Sequence, residues 1–414
     1  MKNNSVKDPE FVGTWGLVAI CVAFTITLNN FAVGASVMAG MTFWKGIAAI
    51  VVAWVFLSLT WMFSGQIGAM THKPAAEIFK NVFGKQGFRI PSLMMSLACM
   101  GFGIFDFWFV GSAFANTFPG NKNVAFIIGI IVIVAIAIIG NLRNVTSIKW
   151  LTAATIPIAL VLFIIIMVAT VVKAGGMHEI MSFVPENSMP FFAGVNVLFA
   201  SFIAIASGFS DITCHSTKKA VRIAMPLCML AIAFQFLVAQ FGVYWNRNIV
   251  DFTSLAVALG GGLFYICNLF TVFAQANTVP SNTLVITTQL AANINLPRKA
   301  GMIIQPLLDG VLATALWFGA EIGIIASFAN ILGCAFGPLL GIIFAEFYVV
   351  RKRKFEDDYP LHSWSAGGIL NLAIGFALGI YLTYFCPIKF PVAIMLLILC
   401  FFLQLLFRKV FKMS

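Results

Sequence analysis

Residues 273–284 read FAQANTVPSNTL and lie between the apolar runs LFYICNLFTV and VITT. Six polar side chains (Gln275, Asn277, Thr278, Ser281, Asn282 and Thr283) and Pro280 crowd what otherwise reads as one membrane helix. Lipid offers such groups no hydrogen bonds, so they face a bundle interior or a solute path. The stretch therefore predicts a polytopic helical membrane protein with a polar site inside it. Composition agrees: of 414 residues 61% are hydrophobic and 9% charged, with a mean hydropathy of +1.00. Long apolar runs recur from end to end, where a membrane β-barrel would alternate in segments of about ten residues.

Working outward, twelve spans are expected at 15–39, 43–70, 91–117, 123–141, 149–174, 191–212, 220–243, 261–292, 299–318, 322–350, 365–385 and 389–408. Both ends of the chain then fall on one side, together with 20 of the 25 Lys and Arg residues. The positive-inside rule makes that side cytoplasmic. The surplus of +11 charges is thus a topology signal, and nucleic acid is not an expected partner. The start, MKNNSVKDPEFVGTW, lacks the pattern of a signal peptide and reads as a short cytoplasmic tail. Segment 71–90 reads as an amphipathic cytoplasmic connection, and VDFTSLAVAL (250–259) as a short external helix.

Eight scattered cysteines without a CxxC pair, and four histidines without ligand spacing, argue against a disulfide framework or a metal site. HExxH, GxSxG and GxxxxGK[ST] are absent, which speaks against a membrane enzyme or a nucleotide-driven pump. A channel would want a continuous polar lining or a filter repeat, and none is visible.

Three further spans break the apolar rule. The first holds TLNNFAVGAS, where Asn29 and Asn30 predict a locally unwound helix. The sixth holds SFIAIASGFSDITCHS, interrupted around Ser207, Gly208, Ser210 and Asp211. The third holds Asp106, roughly 22 Å past Pro91 at helical rise, and so near the outer part of the membrane. Cys99, Phe102 and Asp106 share one helix face, as do Thr278, Ser281 and Asn282. An aromatic ring, amides and a carboxylate aimed at one cavity suit a flat polar heterocycle. Breaks in spans one and six, five apart, point to an inverted-repeat transporter with its site at midplane. Residues 15–174 and 191–350 would be the two five-helix repeats. Residues 1–14 form the tail, and 351–414 a basic loop with spans eleven and twelve. Pro280 is expected to keep the eighth helix irregular. Lone hydroxyls such as Ser207 also have a plainer use, bonding their own helix carbonyls. Gly101, Gly103 and Gly111 read as packing positions. Asp309 is expected to be partly buried near the cytoplasmic end, and Glu346 to pair beside Arg351–Lys354.

Three stretches carry a family resemblance: SFIAIASGFSDITCHSTKKA (201–220), TVPSNTLVITTQLAANI (278–294) and PLLGIIFAEFYVVRKRKFEDD (338–358). The chain resembles the nucleobase:cation symporter family one, and within it the bacterial cytosine permeases. The resemblance implies an all-α fold of the leucine-transporter type, ten core helices in two inverted repeats plus two more. It implies a monomer in the cytoplasmic membrane that imports a nucleobase by cation-coupled alternating access. The stacking aromatic of the third span falls on Phe102, where relatives carry Trp, and an amide position falls on Cys99. The sixth-span aromatic falls on Phe202 with Ser201 beside it, the eighth-span amide on Asn282, and the first-span break around Thr27 to Asn30. Asn29, Asn30 and Asp106 are gains that leave the ring open: cytosine, uracil, hypoxanthine, hydroxymethylpyrimidine or an allantoin-like ring. The coupling ion also stays open. Sodium in relatives sits between the broken first helix and hydroxyls of the eighth. Here Thr278 keeps one hydroxyl, Val279 replaces a second, and Ser281 lies nearby. Asp106 offers a proton route instead.

Overall fold

The computed structural model describes residues 12–142, 145–294, 297–319, 324–355, 362–386 and 390–410. Most of the expected N-terminal tail, Arg143 and part of the loop after Arg351 lie outside the described residues. In chain order the helices are α1 (Thr14–Thr25), α2 (Leu28–Met38), α3 (Phe43–Thr71), α4 (Ala75–Phe83), α5 (Arg89–Thr117) and α6 (Lys122–Leu142). There follow α7 (Val145–Ala174), α8 (Met177–Met181), α9 (Phe191–Gly208), α10 (Ser210–Thr213), α11 (Lys218–Trp245) and α12 (Phe252–Leu259). The last are α13 (Gly261–Ile294), α14 (Arg298–Gly319), α15 (Ile324–Phe344), α16 (Ala366–Ile380) and α17 (Val392–Val410). α15 and α16 each run on into a π-helical turn, Ala345–Val350 and Tyr381–Phe385.

Ten of the described helices are long and apolar enough to cross a membrane. The first and eighth expected spans are not among them. The first is split into helices of 12 and 11 residues, and the eighth is the 34-residue α13 that carries the polar stretch. The architecture is compatible with twelve spans.

Packing sorts the spans into two bodies. α1/α2, α3, α9 and α11 pack on one another as a bundle, and α5, α6, α13 and α14 as a scaffold. Each half of the chain thus gives two spans to each body. α7 touches both through α11 and α13, and α15 likewise through α9 and α5. This is the exchange expected of two intertwined five-helix repeats. α16 and α17 pack outside, against α15.

Local sequence explains the ends. Pro74 opens α4, and Gly84 closes it at φ +94°, where a β-carbon would come 2.6 Å from the His362 carbonyl oxygen. Asp251 and Ser254 form a reciprocal capping box that starts α12, the short helix expected at 250–259. Pro91 sits in the first turn of α5, where its missing N–H is harmless.

The expected breaks are only partly met. The first span breaks at Ile26–Thr27, just before the amides, and Asn29 and Asn30 are helical within α2. The sixth span breaks where expected: α9 ends at Gly208, Phe209 is a turn, and α10 resumes at Ser210. α13 runs unbroken through Pro280. Its ring packs against Gly140 of α6, where a β-carbon would come 3.1 Å from Pro280 Cγ.

Candidate functional site

The break in the first span creates the site. Ending α1 at Thr25 frees carbonyls that need donors. Asn30 Nδ2 donates to Thr25 O at 2.9 Å, and Gln235 Nε2 of α11 to the same oxygen at 2.9 Å. Thr278 Oγ1 of α13 donates toward Ile26 O at 3.4 Å and toward Ala274 O of its own helix at 3.2 Å. Asn30 is therefore a cap of the broken helix and does not join the carboxylate described next.

That carboxylate is Asp106 of α5, fully buried. Its partners are the first-span break and the middle of α13. Thr27 Oγ1 donates to Oδ1 at 3.1 Å, Asn29 Nδ2 to Oδ1 at 2.6 Å, and Asn282 Nδ2 to Oδ2 at 2.9 Å. Thr27 and Asn29 belong to the bundle, Asp106 and Asn282 to the scaffold. Among the described residues, no cationic side chain pairs with Asp106. Asn29 Oδ1 is buried beside it with no hydrogen-bond partner.

An aromatic wall adjoins this junction. Phe102, one turn before Asp106, faces Phe202 of α9 at 6.5 Å between ring centroids. Trp61 of α3 stacks on Phe202 at 5.8 Å and 25°, and its Nε1 donates to Phe202 O at 3.2 Å. Phe328 of α15 meets Phe102 edge-on at 5.3 Å. Trp61 and Phe328 were not singled out from sequence; each is one aromatic among many, and no polar neighbour marks it. Cys99 is buried on the same face of α5, two turns from Asp106. Ser201 Oγ donates to Leu198 O at 2.8 Å and Ser207 Oγ to Ala204 O at 2.7 Å, so both hydroxyls serve their own helix. The side chain of Ser281 lies outside the described residues.

On α13, Asn268 and Gln275 lie seven and fourteen residues before Asn282, on its face. Both are buried, and neither amide nitrogen nor amide oxygen has a partner. The polar stripe thus continues from the carboxylate toward the end opposite Arg351–Lys354.

Four other acidic side chains are fixed elsewhere. Asp309 is buried at 2% exposure, not partly exposed as expected, because it sits against Gly103 of α5, where a β-carbon would come 2.6 Å from its Oδ2. Its Oδ1 accepts from Gln305 Nε2 at 2.7 Å. Gly101 and Gly111 also serve packing, against Phe328 and Phe126. Asp211 accepts the Ala75 N–H that opens α4, at 2.7 Å, and Gln289 Nε2 of α13 at 3.2 Å. Glu346 is paired as expected but fully buried, accepting from Arg408 at 2.6 and 2.7 Å and from Gln404 at 2.7 Å. Asp251 caps α12.

One cavity, of about 610 Å³, is a fissure between α1, α3, α7 and α11. Its walls are apolar and offer the edge of a polar ring nothing to bond. No group of three or more His, Cys, Asp or Glu among the described residues could hold a metal.

A family model described as permease for cytosine/purines, uracil, thiamine, allantoin matches residues 11–399. The chain belongs to this family. The permease is 23% identical over 372 residues to the hydantoin permease of Microbacterium maritypicum, covering 83% of this chain and 74% of the relative. It is 22% identical over 391 residues to the cytosine permease of Escherichia coli K12, covering 91% and 88%. Among solved structures, the nucleobase-cation-symport-1 family transporter Mhp1, closed with bromovinylhydantoin bound, superposes at a TM-score of 0.76 with 19% identity, covering 97% of this chain and 94% of that one. The inward-facing conformation of Mhp1 superposes at 0.79 with 19% identity, covering 99% and 95%. The chain is thus a multi-pass membrane transporter of the leucine-transporter fold class, a permease and not an enzyme.

Proposed function

We propose that the permease imports a flat heterocycle carrying adjacent ring N–H and amino or carbonyl groups, a nucleobase or a hydantoin-like ring. The ring lies against Phe102 and Phe202, and its edge is read by Asp106, Asn29 and Asn282. The observation that carries this reading is the Asp106 junction, bonded to the bundle through Thr27 and Asn29 and to the scaffold through Asn282. A solute that takes over some of these bonds changes what holds the two bodies together, which is what alternating access requires. Cytosine suits Asp106 in its protonated form, which donates to ring N3 and accepts from the 4-amino group. The names of the hydantoin and cytosine relatives support this class of ring.

The coupling ion in this reading is a proton carried by Asp106, whose partners are neutral. A second reading, sodium beside Thr278, is favoured by the approach of its hydroxyl to the Ile26 carbonyl at the helix break. The side bearing Arg351–Lys354 is cytoplasmic, the membrane is the cytoplasmic one, and the permease works as a monomer. Cys99 packs behind the ring. Ser201 shapes the α9 backbone beside it, and Ser281 lies next to the ion path.

The test is thermal stabilisation of purified permease by cytosine, uracil, hypoxanthine, hydantoin and allantoin, at several pH values, with and without sodium. At least one ring is expected to stabilise the wild type and to fail with Asn282→Ala, which stays folded. Equal stabilisation and normal uptake in Asn282→Ala would sink the assignment. Stabilisation that grows as pH falls and ignores sodium supports the proton, and growth with sodium supports the second reading.

A further inference from the structure

The second cavity, about 460 Å³, lies at the end opposite Arg351–Lys354, and no residue of the proposed site lines it. Its walls are Trp108, Ser112 and Asn116 of α5, Asn246 and Asp251 of the α11–α12 connection, and Trp317 near the end of α14. The three α5 residues recur every four positions and so form one face. Trp108 is two residues from Asp106, about 200° round the helix, so this face turns away from the carboxylate. Asn246 ends α11 of the bundle, whereas α5 and α14 belong to the scaffold, on which α12 also packs. The cavity therefore spans the two bodies at the outer end.

Its donors are unused. Trp108 Nε1 and Ser112 Oγ are buried with no hydrogen-bond partner, on residues 9% and 3% exposed. A buried donor left unpaired costs about 1–3 kcal/mol, so two of them walling one polar cavity mark a place built for an acceptor. The far wall is held rigid. Trp317 stacks on Phe126 at 4.3 Å and donates from Nε1 to Asn123 Oδ1 at 3.0 Å. Asp251 is fixed by Thr253 Oγ1 at 2.9 Å and by the Ser254 N–H at 2.7 Å. The volume falls in the range of small-molecule sites, about 300–1,000 Å³.

We propose that this cavity is an outer subsite for the same class of flat ring, distinct from the Asp106 site and bridging the two bodies. The Trp108 indole N–H and the Ser112 hydroxyl donate to a ring carbonyl. The amide oxygens of Asn116 and Asn246 and the Asp251 carboxylate accept from ring N–H groups. The indole faces supply the apolar contact a flat ring needs. A ring bound here contacts both bodies, so its occupancy favours the arrangement in which the cavity exists. The inference rests on the proposed function for the class of ligand.

The experiment is equilibrium binding of radiolabelled cytosine and, separately, hydantoin to the purified full chain. It compares wild type, Asn282→Ala, and the double variant Trp108→Phe with Ser112→Ala, which removes the two donors and little volume. The wild type is expected to show two classes of site, the second roughly tenfold weaker or more. Asn282→Ala keeps only the weaker class and the double variant only the tighter one, which also shows that it is folded. A single class in the wild type, abolished by Asn282→Ala and untouched in the double variant, overturns the outer subsite and leaves the central one standing. Loss of all binding in the double variant with none in Asn282→Ala does the reverse to the central site. Binding of neither ring to the wild type overturns both.

Discussion

Asp106 and Glu346 are both fully buried carboxylates in membrane-spanning helices, and they are held in opposite ways. Glu346 has a forked pairing with Arg408, a bond from Gln404, and Arg351 at 3.9 Å. Asp106 has a hydroxyl and two amides and no cation. A fixed cation satisfies a buried charge permanently, and the arrangement has nothing left to exchange. Neutral donors satisfy it only in part, and each can be traded for a group on a solute or matched by a moving cation. The contrast separates an anchor from a candidate site without reference to any relative. Glu346 ties α15 to α17 within one region, whereas Asp106 ties the bundle to the scaffold.

The largest effect tests the anchor. Glu346→Ala deprives Arg408, 11% exposed, of its carboxylate. Breaking a buried pair from one side costs about 3–5 kcal/mol. A clear fall in the melting temperature of detergent-solubilised protein is expected, with ring affinity unchanged in the fraction that stays folded. A lost affinity at full stability would invert the comparison.

The next effect tests the site. Asp106→Asn keeps the shape and removes the charge. Hydrogen bonds to a charged group are worth about 1.5–3 kcal/mol, so uptake should fall roughly a hundredfold. Stability should hold or rise, because a buried charge without a cation is gone. Normal uptake by Asp106→Asn would make the residue a second anchor and end the contrast.

The two carboxylates also show what sequence could and could not disclose. Residue type and apolar context flagged Asp106, Asn29 and Asn282, because polar groups in lipid are rare enough to stand out. The twelve-span plan followed from run length, and the short helix at 250–259 from the amphipathic stretch VDFTSLAVAL. Depth did not follow. Counting residues from Pro91 points Asp106 toward the outer side, and only its bonds to Thr27, Asn29 and Asn282 reveal that it meets the Ile26–Thr27 break. Burial was underestimated for Asp309, since a glycine on another helix, Gly103, makes its pocket. Pro280 suggested an irregular helix, but α13 is continuous through it, and the ring packs on Gly140. Trp61 and Phe328 were invisible, because an aromatic gains meaning only from the rings it meets. The roles of Asn29 and Asn30 were alike on paper and differ in space: one faces the carboxylate, the other caps a carbonyl.

The smallest effect concerns a third carboxylate, which sharpens the comparison from outside the membrane spans. Asp251 resembles Asp106 in having only neutral donors, here the Ser254 N–H and the Thr253 hydroxyl. Burial holds its carboxyl above the usual range, while those bonds pull it back down. A carboxyl whose folded value is raised stabilises the fold fully below its unfolded value, about pH 4. As pH climbs from there, the unfolded chain releases its proton first, and stability drains away until the folded group has ionised too. Asn at this position caps a helix as well as Asp does and cannot titrate. Asp251→Asn should therefore match the wild type near pH 4 and exceed it progressively toward neutrality. The gap grows by about 1.4 kcal/mol for each unit by which the folded carboxyl is raised, and melting curves across that range measure it. Parallel curves would mean that neutral donors alone suffice to hold a buried carboxylate ionised, and the absence of a cation at Asp106 would lose its force as the mark of a site.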